Sequence, residues 1–507
     1  MNLPGGISAR TIASDGPAPV RGLARSNFSQ LARGGLGDGH NSFAHSMAWF
    51  QGKLYLGTTR SNLCMLRVQV AYVETPLEVW PVDCPTTMDG LYTLDRRAQI
   101  WCYDPGPDRW EMLHQAPMVE GSDGRPTARE IGYRSMVVHH GSATTAPALY
   151  VSTWAPGRAP GALILRCTDG RHFEPVTPYG VTDPPFSTTR SLTVFRDRVH
   201  FAPTAQRGRS GGQQNIARPQ ILASATPEAG DWVEVNPPGF DDPGNLGIFS
   251  LAVANDTLYA GTLNLSGFQI WASDGSADTR DGGRGHYRWR RICDRGAGRG
   301  PLNQAVASMC AFRGALYVGG GIQGGGNDRV NKVGPAPAEI LRVNADDSVD
   351  VIVGDRSDAT DREPLSGLPA GFGHFFNGYI WAMVAHDGWL YCGTYDWSVT
   401  LRWAKFDRAP PRVRALLERV GREAIIAAEG GADLWRSADG ENWLPVCRRG
   451  FGNPYNWGIR NLVSTPHGLF VGTANVFGPT VAERQPGGGW AYRDNPDGGL
   501  EVWLGRG

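Results

Sequence analysis

A motif of apolar strand, tight turn and apolar strand recurs along this chain, and that recurrence constrains the fold more than any other feature. The segment SLAVANDTLYAGT (250–262) returns as SMAWFQGKLYLGT (46–58), SLTVFRDRVHFAP (191–203), SMCAFRGALYVGG (308–320), AMVAHDGWLYCGT (382–394) and NLVSTPHGLFVGT (461–473). A seventh copy, SMVVHHGSATTAPALYVST (135–153), is lengthened at its turn. After a variable gap a third apolar segment follows, as in QIWCYD (99–104), ALILRC (162–167), FQIWAS (268–273), EILRV (339–343) and DLWRS (433–437). A short turn then leads to a fourth, as in SADGENWLPV (437–446). Each unit reads as four antiparallel strands.

Such units arranged in a ring give an all-β fold, a seven-bladed β-propeller with four-stranded antiparallel blades. A length of 507 residues would otherwise suggest several domains. The 68 glycines, 36 prolines and 17 tryptophans suit a turn-dense, aromatic-rich β protein that absorbs this length in one ring. The last copy ends one strand short, at LEVWLG (500–505), while FSQLARGGLGDGHNSFAHSM (28–47) parallels WLPVCRRGFGNPYNWGIRNL (443–462). Residues 28–37 are therefore expected to supply the outer strand of the last blade, which avoids an open edge. The expected organisation is a tail over 1–27 and one propeller domain over 28–507, with insertions at 59–98 and 395–431 on one face. Within them, 65–98 reads as an extra hairpin or flap. The stretch 409–428 reads as a helix with apolar spacing at Val413, Leu416, Leu417, Val420 and Ile425. That helix either caps the mouth of the channel or packs on the flank of the sixth blade.

The turn from Ser437 through Asp439 and Gly440 to Trp443 is similar to an Asp box, with looser versions at Ser273-Asp274-Gly275 and Thr168-Asp169-Gly170. On these turns and the repeat, the chain resembles the Kelch-like and Asp-box-like propellers. The resemblance implies a fold, in which the aspartate accepts backbone N–H bonds and the tryptophan packs between blades; fold does not fix function. The Phe-Arg-Ile-Pro motif of sialidases is missing, and seven blades rather than six also argue against that family. There is no H-E-x-x-H and no P-loop. The run GGGIQGGG (319–326) contains G-x-G-x-x-G, but no helix pattern follows it.

Lys+Arg and Asp+Glu both number 49, so no global field favours nucleic acid or a membrane surface. No run of some twenty apolar residues could span a bilayer. The opening MNLPGGISARTIASDG lacks an apolar signal core, and the eight cysteines are scattered without a C-x-x-C pair. A reduced, cytoplasmic protein is the expectation.

The gaps between second and third strands are long, so binding residues are expected on the face that carries them. Asn41, Asn245, Asn303, Asn377 and Asn456 stand at one shared register and suit turns. The position just before the residue that opens each copy instead varies: His45, Arg134, Arg190, Phe249, Ala307, Trp381 and Arg460. Arginines and a histidine near an axis repel one another unless anions compensate, and a guanidinium matches carboxylate or phosphate. Phe249, Trp381 and Tyr379 would add an aromatic wall. The bland alternative pairs the arginines with strand carbonyls or with Glu130, Asp183 or Asp242. His45 is the expected general base, with Tyr395 and Asp396 next, and His374 and His40 as further candidates to join it. The function expected is a small-molecule enzyme of secondary metabolism, a lyase, isomerase or cyclising or alkylating enzyme, acting on an anionic or aromatic substrate. The alternative is a non-catalytic scaffold whose long loops bind a protein or ligand. No cofactor or catalytic metal set is evident, and a structural calcium ion is left open.

Overall fold

Five of the repeats turn tightly because both of their turn residues accept positive φ. The pairs Gln51-Gly52, Arg196-Asp197, Asn255-Asp256, Arg313-Gly314 and Asp387-Gly388 all have φ between 46° and 78°, the geometry that matches strand twist in two-residue turns. The computed structural model describes residues 21–69, 77–140, 146–182, 185–206, 219–280, 282–357, 362–405 and 411–507.

The strands form an all-β propeller, and its ladders fall into seven consecutive four-stranded antiparallel units. The first comprises Asn41–Phe50, Lys53–Arg60, Gln99–Asp104 and Arg109–Gln115. The next five begin at the inner strands Gly132–His139, Phe186–Phe195, Asn245–Ala254, Ala305–Phe312 and Asn377–His386. The last contains Gly458–Thr465, Gly468–Ala474 and Val502–Gly505, with Phe28–Ala32 as its outer strand. Among the described residues, single bridges join the end of a second strand to the next inner strand at five junctions, including Thr59↔Gly132, Gly321↔Tyr379 and Tyr395↔Gly458. Phe43↔Ala474 makes the same bridge from the last unit to the first.

The closing strand is shorter than the expected 28–37, because Gly34, Gly35, Leu36 and Gly37 adopt positive φ and turn away. Part of the segment expected as a tail is packed. Leu23 is buried and donates its backbone N–H to the Tyr391 hydroxyl at 2.9 Å, and Arg25 lies over the Trp503 ring at 4.7 Å.

The asparagine register is structural. In each case Nδ2 donates to a glycine carbonyl six residues earlier, or seven for Asn303, and to the side chain at the start of the third strand. The acceptors are Gln99 for Asn41, Gln269 for Asn245, Glu339 for Asn303, Asp433 for Asn377 and Glu501 for Asn456. Two turns of the Asp-box-like pattern show the expected bonding. Asp439 Oδ1 accepts from the backbone of Glu441 and Asn442, and Asp169 Oδ1 from that of Arg171 and His172. Trp443 packs on Phe372 with ring centroids 5.5 Å apart, in a core shared by the fifth and sixth units.

The insertions differ from expectation. Residues 62–69 and 88–93 form helices α1 (Asn62–Gln69) and α2 (Met88–Thr93) rather than a hairpin, and Cys64 and Cys84 are joined by a disulfide. Their spacing of 20 residues matches no short motif, and the bond removes the ground for expecting a reduced compartment. Leu63, Cys64 and Val68 on α1 are buried against Trp403, Phe477 and Val481, so tertiary packing selects the helix. The predicted helix is two, α3 (Pro411–Val420) and α4 (Arg422–Glu429), broken where Gly421 takes φ 88°. Leu417, Ile425 and Ile426 pack on Phe376 and Leu401, which places the pair against the sixth unit. No helix among the described residues is long and apolar enough to cross a membrane.

Candidate functional site

In every unit the inner strand breaks register near its entrance. The irregularity brackets His45, Arg134, Phe249, Ala307, Trp381 and Arg460, and in the third unit it falls just after Arg190, where Ser191 has φ 52°. A bulge residue is released from the ladder and its side chain is re-aimed. In six of the seven units the released residue is the one at the variable register.

Six of its seven members meet in one cavity of about 160 Å³. His45, Arg134, Arg190, Phe249, Ala307 and Arg460 line it, together with Ser46, Ser135, Ser191 and Asn461. The residues after the bulges tie neighbouring units together. Ser46 Oγ donates to the Tyr133 carbonyl at 2.7 Å, Ser191 Oγ to that of Phe249 at 2.9 Å, and Asn461 Nδ2 to those of Ala44 and His45 at 2.8 Å.

The guanidiniums are held against aromatic faces: Arg190 over Phe249 at 4.3 Å, Arg134 over Trp154 at 5.0 Å and Arg460 over Trp381 at 5.3 Å. Trp381 thus backs an arginine instead of lining the cavity. Gly458 makes room for it, since a Cβ there would lie 2.3 Å from the ring. Arg134 also donates to Thr188 Oγ1 at 2.8 Å. Among the described residues no carboxylate pairs with Arg134 or Arg460, and Arg460 makes no hydrogen bond there.

Burial and mutual repulsion shift every charge in the cavity toward neutrality. Burial pushes Arg190 down to about 10. Burial and then Arg190 push Arg460 down to about 9. Arg134 lies well below the usual guanidinium range, through burial and then Arg190 and Arg460. His45 is held well below the ordinary imidazole value by burial first and then by the three arginines, so it is neutral near pH 7. Its Nδ1 is buried with no hydrogen-bond partner among the described residues.

The other expected catalytic groups do not reach this cavity. Tyr395 lies in an aromatic layer with Trp381, Trp457 and Tyr379, at centroid distances of 5.2, 5.2 and 5.7 Å. Burial raises its hydroxyl far above the ordinary phenol value. Tyr379 accepts a hydrogen bond from the Gly325 N–H at 3.2 Å. Alternation along the strand sends Asp396 to the opposite side. There Oδ1 accepts from Ser398 and from the Gly431 N–H, and Oδ2 lies 3.5 Å from His374 Nε2. Burial lifts Asp396 to about 6 against the pull of His374. His374 is enclosed by Asp396, Asp433 and Glu429, and His40 bonds Ser61, so neither joins His45.

Of the acids expected to neutralise the arginines, the two that are described, Asp242 and Glu130, are engaged elsewhere. Asp242 accepts from Gln269 and the Gly244 N–H, Asp183 lies outside the described residues, and Glu130 pairs with Arg129. Burial outweighs that pairing and lifts Glu130 to about 7. Its folded-state value is thus above the ordinary 4.5, so stability is full below pH 4.5 and lost as pH rises through 7. Glu130→Gln should remove that loss and leave the protein about 1–3 kcal/mol more stable than wild type at pH 8. Parallel melting curves across pH 5–8 check this, and identical pH dependence would contradict it. Among the described residues no group of three or more His, Cys, Asp or Glu side chains is arranged to hold a metal ion.

No family model matches the chain, and no curated protein sequence does. Solved structures similar to it include a streptogramin B lyase, at 9% identity and TM-score 0.44, covering 95% of this chain and 99% of that one. A puromycin-hydrolysing peptidase of Mycobacterium tuberculosis matches at 14% identity and TM-score 0.43, covering 95% of this chain. A GH43 β-xylosidase/α-arabinofuranosidase from a compost metagenome matches at 14% identity and TM-score 0.31, covering 66% of this chain and 98% of that one. The chain spans 56% of the length of the peptidase, and 51% of that of a prolyl endopeptidase that it also resembles.

Proposed function

We propose that the axial cavity binds a small organic anion, and that the protein is an enzyme in which neutral His45 exchanges a proton with that anion. The observation that carries the reading is the convergence of Arg134, Arg190 and Arg460 on one cavity, half-buried there, with no carboxylate on Arg134 or Arg460 among the described residues. Half-buried like charges crowded round one cavity are costly unless compensated, and an anion supplies the compensation. A volume of about 160 Å³ holds roughly five waters at ~30 Å³ each. That suits a carboxylate with a few carbons and argues against an aromatic substrate, since Phe249 is already covered by Arg190 and Trp381 by Arg460.

His45 is the one titratable group besides the arginines that lines the cavity. As a neutral imidazole it can accept a proton from a carbon next to a carboxylate, while the guanidiniums hold the developing negative charge. This fits a lyase or isomerase. A single proton-transfer group also fits a binding protein without chemistry. Calorimetric titration with small carboxylates should show one site that weakens at least tenfold in Arg134→Met and survives in His45→Gln. Equal affinity in wild type and Arg134→Met would sink the proposal. Turnover that persists in His45→Gln would sink only its catalytic half.

A further inference from the structure

A second cavity, of about 420 Å³, lies between the first two units, under α2 and beside the short hairpin of Met118–Glu120 and Pro126–Ala128. Leu91, Leu94, Met118, Ala128, Ile131 and Pro156 give it a largely apolar lining. Arg96 lies in its wall, only 6% exposed. Among the described residues Arg96 makes no hydrogen bond or ion pair, and its Nε is buried without a partner. Burial lowers its guanidinium to about 10.

The acids around it are committed elsewhere. Asp95 is held by Arg97, Glu130 by Arg129, and Asp89 and Asp123 by Arg125 and Arg158. Arg158 is fixed in turn, with its guanidinium 4.0 Å from the Tyr92 ring centroid and its backbone N–H donating to the Tyr92 hydroxyl. Asp95 and Arg97, which also line the cavity, cancel by pairing, and among the described residues Arg96 is left as the unpaired cation in a largely apolar wall.

We infer that this chamber is a second binding site, for a monocarboxylate with an apolar body whose two oxygens meet the Arg96 guanidinium. A planar guanidinium presents two parallel N–H groups to a carboxylate. A dianion would need a second free cation, and the neighbouring arginines are paired. The volume equals about fourteen waters at ~30 Å³ each, enough for the aryl body that the axial cavity does not suit.

The test is calorimetric titration with phenylacetate and with its neutral amide. Phenylacetate should bind at millimolar concentration or below, the amide at least tenfold more weakly. Arg96→Met should cost a similar factor, Arg96→Lys less, and Arg460→Met nothing. If Arg96→Met fails to fold, Ala128→Phe, which fills the chamber without touching charge, should also abolish binding. The inference is overturned if phenylacetate does not bind, if the amide binds equally, if binding survives Ala128→Phe, or if it is lost in Arg460→Met but not in Arg96→Met. The last outcome would transfer the ligand to the axial cavity.

Discussion

Removal of residues 1–37 is expected to lower the melting temperature by about 10 °C or more. Phe28–Ala32 completes the ladder of Val502–Gly505, so deletion leaves that strand as an exposed edge. It also uncovers apolar surface. Phe28 packs on Phe451 with centroids 5.6 Å apart, Arg25 covers Trp503, and Leu23 lies in the same core as Leu469 and Val471. Because the outer strand of the last unit comes from the other end of the chain, the loss is felt by the ring and not by one loop. Phe28→Ala isolates the packing share, expected at about 3 kcal/mol. Thermal denaturation of the two variants beside wild type decides the matter. An unchanged midpoint in the deletion would mean that the strand is an accessory.

The second large effect has an unusual sign. Arg460→Met should stabilise the protein in anion-free buffer, by about 1–4 kcal/mol, and at the same time abolish stabilisation by small carboxylates. In wild type, a carboxylate at a hundred times its Kd should add about 2.7 kcal/mol. Arg460 and Arg190 repel one another within the cavity, and methionine keeps the apolar contact with Trp381 while removing a charge. A binding residue shows this pattern, because its cost in the empty protein is recovered only with ligand. A structural arginine would show the reverse, destabilisation on substitution and indifference to anions. Melting curves with and without carboxylate separate the two.

The fold was largely legible because a propeller repeats its signal. Hairpin turns, third strands and the closing segment each followed from aligning copies. Within the site, alignment also isolated His45, Arg134, Arg190, Phe249 and Arg460, which do meet. What it did not show was why that register faces the axis, because a bulge leaves no mark in residue type. It likewise placed Tyr395 and Asp396 together by adjacency, although successive strand residues face opposite ways. The insertions were the least legible part. The segment of α1 becomes a helix through contacts with Trp403 and Phe477, more than 300 positions away in a chain of 507 residues. Arg96 escaped notice because it belongs to no repeat. Its signal is a lone arginine beside the salt-bridged pair Asp95 and Arg97, and only burial distinguishes it from a surface charge.

The ring of bulges has a consequence for how such a protein can change over evolution. In six of the seven units the bulge residue is released from the ladder, so mutation there spares the strand pairing that keeps the ring together. Each unit offers one freely editable letter to a shared axial word, spelled here with three arginines, one histidine, two aromatics and one alanine. Ala307 is the blank in that word, and filling it would alter what the axis recognises while leaving the architecture in place.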